Sequence, residues 1–374
     1  MNRRRDRPIS TRRKLEFLRR PQTYPGQKLP VRVIETHFAW VFLTEQHAYK
    51  MKKPLRQDVM DYRSIANRAR GCSNELRLNR RLAPTVYLES VPLARTRNGD
   101  LVLGRGGRIV DWLVKMRRLP AARMLECSIK NGTLSVAERR AVIAMLAQFY
   151  ARARQRPMSS ARYVTTLRAR MLENLRELQV PEFGMDHAIL GNIVAKQRRY
   201  IDDHVGLLAS RAGRLVEAHG DLRPEHVYLG SRLDPPGVID CLEFDAKLRR
   251  MDPAEEVAFL ALECRRLGAE SMARSLIHGV QSSLEDVVPE SLTYFYMSHR
   301  ALTRAKMAVW HLRDPRRPRR IRHWKERARA YVEDALYFAE LAVRRSEQRR
   351  CVSPRQPQAN GSTGAQWAYQ TRSA

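Results

Sequence analysis

The pattern of apolar positions changes character once along this chain. Val31–Glu35 alternates apolar and polar residues, Trp40-Val41-Phe42-Leu43 is a compact apolar run, and Ala48-Tyr49-Lys50-Met51-Lys52 alternates again. These runs predict three short strands. A helix is predicted over about 62–82, then strands at Leu101–Leu103 and Arg108–Lys115 on either side of Gly104, Gly106 and Gly107. Beyond Pro120 the period is helical, over 136–154, 161–179, 187–209, 253–267 and 290–312, with one β-like island at 226–240. Strands first and helices after predict an α+β chain of two lobes: a small β-rich lobe over 31–115 and a larger helical lobe over 116–345. Asp252-Pro253-Ala254-Glu255 reads as a helix start, with Asp at the N-cap, Pro at N1 and Glu at N3.

Composition leaves that picture intact. The 374 residues are 43% hydrophobic and 29% charged, enough for a substantial core. The unusual feature is charge: 70 Lys+Arg against 39 Asp+Glu gives +31, and only 11 of the cations are lysines. Residues 1–20 and 313–329 each carry nine Lys/Arg and two acids. Without interleaved aromatics they read as solvated surface in preference to a nucleic-acid site. Residues 1–30 are expected to be a disordered basic tail and residues 346–374, rich in Ser, Gln, Pro and Gly toward the end, a second one. No apolar run reaches the ~18–20 residues of a spanning helix, and the basic N-terminus lacks a signal-peptide core. The five cysteines (Cys72, Cys127, Cys241, Cys264 and Cys351) show no CxxC spacing. A reducing cytoplasm is therefore the expected compartment.

The chemistry concentrates in His219-Gly220-Asp221-Leu222-Arg223-Pro224-Glu225-His226 and the following Val238-Ile239-Asp240. Val227–Leu229 and Gly237–Ile239 flank Asp234-Pro235-Pro236, so a hairpin is predicted that sets Asp221 beside Asp240. Two carboxylates at one hairpin base need a positive charge between them, and a divalent cation on a nucleotide's phosphates would supply it. The plainer alternative makes Asp221 a loop cap and Asp240 a turn residue.

His-Gly-Asp followed by a hydrophobic-hydrophobic-Asp strand end resembles the catalytic and metal loops of the aminoglycoside phosphotransferase and choline kinase families, relatives of protein kinases. The resemblance covers most of residues 31–345 and implies the two-lobed, protein-kinase-like fold. It implies that Asp221 orients and deprotonates an acceptor hydroxyl, and that Asp240 holds Mg²⁺ on the β- and γ-phosphates of ATP. Where the pattern has a metal-binding Asn, this chain has His226. Imidazole suits softer metals than Mg²⁺, so three readings stand: no second metal, Mn²⁺ in its place, or an oxygen from Glu225, Glu243 or Asp245. Glu243 is the first choice, with an exposed loop acid as the alternative.

By the same resemblance, Lys50 grips the nucleotide phosphates and Glu75, on the next helix, orients it. Lys52 and Lys53 cluster with Lys50 in a chain that otherwise uses arginine, which favours a phosphate role, with surface positions as the alternative for these two. The loop Thr36-His37-Phe38-Ala39 falls where a phosphate-covering loop belongs, but has no glycine. Asp111–Pro120 falls at the hinge, where the backbone of Met116 and Arg117 is expected to meet adenine. Tyr294, Tyr296, His299, Arg300 and Arg304 are candidates for the acceptor pocket, with core positions as the alternative for the aromatic ones. The resemblance is closest to bacterial members of undefined substrate, related to a domain elsewhere fused to an ATP-binding partner. No Walker A motif (G-x-x-x-x-G-K-[ST]) occurs, so that partner is not expected here.

The expectation is an ATP-dependent small-molecule kinase, with ATP, a divalent cation and a hydroxyl acceptor as its partners and no membrane. A polycationic aminoglycoside fits the +31 chain poorly. A nucleotide-binding pseudokinase is the alternative, and a basic nucleic-acid-associated protein a weaker one.

Overall fold

The computed structural model describes residues 8–57, 60–231, 234–313 and 321–352. The first element is helix α1 (Thr11–Leu18), whose N-terminus Ser10 caps through the Arg13 amide. It lies inside the segment expected to be a disordered tail. Leu15, Phe17 and Leu18, with Tyr24 beyond, form an apolar face that the arginine count conceals, and Leu18 and Tyr24 are buried. Lys14 donates to Asp111 Oδ2 at 2.7 Å and Arg68 to Asp111 Oδ1 at 2.6 Å, which ties α1 to the sheet and to a helix behind it.

That sheet is antiparallel. Its first strands are β1 (Arg32–Glu35), β2 (Ala39–Leu43) and β3 (His47–Lys52). A two-residue ladder, β4 (Arg56–Gln57) with β5 (Met60–Asp61), leads into helix α2 (Ile65–Asn79). The chain then returns as β6 (Tyr87–Arg95), β7 (Leu101–Leu103) and β8 (Arg108–Arg117), giving the order β1-β2-β3-β8-β6-β7. The long strand β6 was not expected. Pro92 breaks its sequence pattern, and the strand accommodates it with register shifts at Tyr87/Glu89 and Leu93/Ala94.

Strand alternation decides which side chains of β3 reach the cleft. Tyr49 and Met51 join the cluster under α1, whereas Ala48 packs with Cys72 on the face that α2 covers. Lys50 and Lys52 share the Ala48 face, so both point toward α2.

The remaining chain is mostly helical: α3 (Leu125–Lys130), α4 (Val136–Arg152), α5 (Ser160–Leu178), α6 (His187–Asp203) and α7 (Val205–Arg211) precede the loop segment. Within that segment β9 (Val216–Glu217) and the hairpin β10 (Val227–Tyr228) and β11 (Gly237–Val238) frame the His219–Asp240 stretch, as the turn signal predicted. Helix α8 (Ala246–Arg249) and β12 (Arg250–Met251), paired with β9, bring the chain to α9 (Pro253–Arg266). Asp252 caps α9 through the Ala254 amide at 3.0 Å and receives a bidentate contact from Arg211 at 2.7 Å on each oxygen. Glu255 does not close the box; its carboxylate turns inward.

Helices α10 (Glu270–Ser283), α11 (Glu290–Trp310) and α12 (Ile321–Val352) complete the lobe. Helix α12 runs through the first seven residues of the second expected tail, and 353–374 lie outside the described residues, as do 314–320 of the basic run. No helix among the described residues is long and apolar enough to cross a membrane.

Candidate active site

Glu75 is fully buried on α2 and takes one lysine on each oxygen: Lys50 at 2.9 Å and Lys52 at 2.6 Å. Gly71, one turn earlier, makes room for this; a Cβ there would meet the Tyr62 ring at 2.7 Å and the Lys52 chain at 3.0 Å. Lys50 also reaches across to Asp240 Oδ1 at 2.6 Å. Burial opposes its charge, but Asp240, Glu75 and Glu243 outweigh that and hold the ammonium well above its ordinary value. Lys52 and Lys53 are 2% and 4% exposed, against the surface alternative. Lys53 pairs with Glu35 at 2.6 Å and lies over the Trp40 ring.

The loop after β9 is held from below. Glu256 accepts the His219 and Gly220 amides and the Tyr150 hydroxyl, and Arg300 donates to the Gly220 carbonyl at 3.3 Å. Gly220 has φ +93°, a conformation that favours glycine, and any Cβ would press on Leu242 at 3.0 Å. His219 fastens this loop to the strand end: Nε2 donates to the Ile239 carbonyl at 2.9 Å and Nδ1 accepts the Asp221 amide at 3.3 Å. Burial, with His226 nearby, pushes the His219 imidazole down to about 3, so the ring is neutral.

Asp221 and Asp240 meet through His226. Its Nδ1 donates to the Asp221 carbonyl at 2.8 Å, and its Nε2 lies 3.7 Å from Asp240 Oδ2 and 3.3 Å from an Arg223 nitrogen. Asp221 lies between Arg223, at 3.1 Å, and Arg304, at 3.9 Å. Burial would raise its pKa, but Arg223, His226 and Arg304 outweigh burial and hold the carboxyl well below the usual range. Asp240 adopts φ +64°, rare for a residue with a side chain. The Tyr87 hydroxyl accepts its amide at 3.0 Å, and Asn79 accepts that of Cys241 at 2.9 Å. Burial disfavours its charge too, and Lys50 and His226 more than compensate.

Other expected residues sit differently. Glu243 faces the lysines, with Oε1 taking Lys52 and the Tyr62 hydroxyl, the latter at 2.8 Å. Thr36 spends its hydroxyl closing the β1–β2 turn on Ala39, 3.0 Å from both the amide and the carbonyl. Met116 pairs with both Ala48 and Tyr87 in the sheet, and the Arg117 amide is bonded to the Val86 carbonyl at 2.8 Å. Among the described residues the next amide without a backbone acceptor is that of Leu119, which packs in the apolar cluster of Val41, Ala48 and Ile239. Tyr294 stacks on Phe338, and Tyr296 is buried between Tyr163 and Asp252, so both belong to the core. Arg300 and Arg304 do reach the loop. Sequence reasoning passed over Arg223 and left Lys52 open; the same-face alternation with Lys50 was the available signal for Lys52.

Asp240 Oδ2 and His226 Nε2 are the facing donors a metal could use. Among the described residues no three His, Cys, Asp or Glu side chains converge on one point. One or two protein ligands plus phosphate oxygens is a normal arrangement for a nucleotide-bound divalent cation, so the donors fit one.

No family model matches the chain. It is 32% identical over 282 residues to uncharacterised proteins of Mycobacterium bovis and Mycobacterium tuberculosis, covering 74% of this chain and 54% of theirs. The chain thus spans about half the length of the curated relatives it matches. Among solved structures it is similar to a choline/ethanolamine kinase family protein of Mesorhizobium loti (11% identity, TM-score 0.49, 88% of this chain and 99% of that one). It is also similar to a glucosamine kinase in complex with glucosamine, ADP and phosphate (15%, 0.47, 85% and 78%). A third is an aminoglycoside phosphotransferase of Streptomyces rimosus in complex with ADP and streptomycin (15%, 0.43, 73% and 92%). With an antiparallel sheet and buried Lys–Glu pair on one side, and a helical lobe bearing the His-Gly-Asp loop on the other, the chain has a two-lobed α+β fold.

Proposed function

We propose that this protein transfers the γ-phosphoryl group of ATP to a hydroxyl of a small molecule, as an aminoglycoside phosphotransferase-like kinase. The observation that carries the reading is Lys50, bridging Glu75 and Asp240 while His226 joins Asp240 to Asp221. Lys50, fixed by Glu75, is the cation offered to the nucleotide phosphates, and the Leu119 amide is the donor offered to adenine. Asp240 Oδ2 and His226 Nε2 would hold a divalent cation, which when bound neutralises charge on the phosphate oxygens. A mixed oxygen–nitrogen pair favours Mn²⁺ over Mg²⁺.

Asp221, held ionised by Arg223 and Arg304, accepts the hydrogen bond of the acceptor hydroxyl and orients its oxygen. As the bond from that oxygen to the γ-phosphorus forms, the bond to the bridging oxygen of ADP breaks, and the hydroxyl proton passes to Asp221. A carboxylate so far below its usual pKa is a weak base, so its main contribution is position, and the proton moves late.

The test is ADP formation with pooled small-molecule alcohols, together with a mass search for a phosphorylated product. Asp221→Asn should lose at least about 100-fold in turnover while binding nucleotide as wild type does. Equal turnover in that variant would refute the assignment; nucleotide binding with no turnover in wild type would favour a binding module.

A further inference from the structure

Resting on the phosphotransferase reading of Asp221, we infer that the acceptor is an alcohol already carrying an oxyanion, a carboxylate or a phosphate ester, which Arg304 and Arg300 bind beside Asp221. The floor below the loop is formed by α5, α9 and α11, and it is built of charges that do not satisfy one another. Glu255 is 1% exposed, and neither of its carboxylate oxygens has a hydrogen-bond partner. Its neighbours Arg300 and Arg170 stand off at 3.8 and 3.9 Å. Arg300, 9% exposed, has a buried Nε without a partner, and so has Arg304. Arg304 faces Glu263 at 3.5 Å and Asp221 at 3.9 Å, each too far or too poorly aligned for a hydrogen bond.

Each of these guanidinium groups keeps donor capacity that no protein acceptor takes, and an oxyanion beside Asp221 would use it. Three arginines (Arg170, Arg300, Arg304) stand among three acids (Glu255, Glu256, Glu263), of which Glu256 is spent on the loop amides. Burial pulls the Arg300 guanidinium below its ordinary value, with Glu255 and Asp221 compensating only in part.

Two of the three acids that could receive a polycation are already hydrogen-bonded, and the third lies between arginines. Glu256 is taken by two loop amides and Tyr150, Glu263 by the Tyr331 hydroxyl at 2.8 Å, and Glu255 faces two arginines. The oxyanion partner is thus selected by planar, forked donors, and an amino alcohol would meet like charge.

The test uses full-length protein saturated with a non-hydrolysable ATP analogue and Mn²⁺, titrated calorimetrically with inorganic phosphate, glycerol and ethanolamine. Phosphate should bind wild type, about tenfold or more weakly to Arg304→Gln, and with intermediate affinity to Arg304→Lys, while analogue affinity stays the same in all three. Unchanged melting temperatures without ligand establish that the variants fold. Absent phosphate binding, equal binding by Arg304→Gln, or tighter binding of ethanolamine than of phosphate would overturn the anionic acceptor and leave the kinase reading standing. Failure of the analogue to bind wild type would overturn both.

Discussion

His299 offers a sharp test of the buried electrostatics in the helical lobe. The ring is 2% exposed on α11, neither nitrogen has a hydrogen-bond partner among the described residues, and Arg170, Arg300 and Lys306 are its charged neighbours. Burial, assisted by those three cations, pushes its pKa from 6.5 to about 3. The folded value lies below the unfolded one, so the unfolded chain takes up the proton first as pH falls. Stability is therefore complete above about 6.5 and declines as pH drops from there toward 3. At pH 5.5 the folded ring is neutral and the unfolded ring is about nine-tenths protonated. Between pH 7.5 and 5.5 this one residue should remove about 1.4 kcal/mol. His219, shifted equally, should remove a similar amount. His299→Leu keeps the volume and eliminates the site. Urea unfolding followed by circular dichroism at both pH values should then show a pH-dependent loss smaller by about 1.4 kcal/mol in the variant. Losses that agree within about 0.5 kcal/mol, roughly a third of that effect, would refute a neutral, buried His299.

Asp252→Ala removes a helix cap, a bidentate partner of Arg211 and the acceptor of the Tyr296 hydroxyl; the expected cost is about 3–5 kcal/mol in urea unfolding, and a loss under about 1 kcal/mol would contradict the network. Glu243→Gln should leave Mn²⁺ affinity of the nucleotide complex unchanged, because Glu243 serves Lys52 and Tyr62; Asp240→Asn should weaken it at least about tenfold by electron paramagnetic resonance titration, and equal effects would return Glu243 to the metal. His226→Asn exchanges the imidazole nitrogen for an amide oxygen and should move metal preference from Mn²⁺ toward Mg²⁺, read as the ratio of the two affinities; an unchanged ratio would remove His226 from the metal site.

Much of this site was legible because its signals are local. The His-Gly-Asp loop, the Asp-Pro-Pro turn and the strand end at Asp240 fixed the hairpin, and the resemblance at Ala48-Tyr49-Lys50 picked out Lys50. What was not legible depends on partners distant in sequence. Glu243 follows Asp240 closely, yet its direction is set by Lys52, 191 residues away. Met116 and Arg117 seemed free at the lobe boundary because β6, which occupies them, is disguised by Pro92. Helix α1 was hidden among arginines, its three apolar side chains meaningful only once a sheet offers them a surface. Arg304 could be placed on a helix, but nothing local says that it faces Asp221, 83 positions earlier.

We propose that Lys50, Asp240 and His226 form a metal-dependent nucleotide site. It is tested most directly by the melting midpoint of wild type and Asp240→Ala with a non-hydrolysable ATP analogue, each with and without Mn²⁺ or Mg²⁺. Ligand at about 100 times its dissociation constant adds about 2.7 kcal/mol, a rise of a few degrees. Wild type should show a metal-dependent rise, larger with Mn²⁺, and Asp240→Ala should lose it. No rise in wild type with either metal, or the same rise in both proteins, would contradict the proposed site.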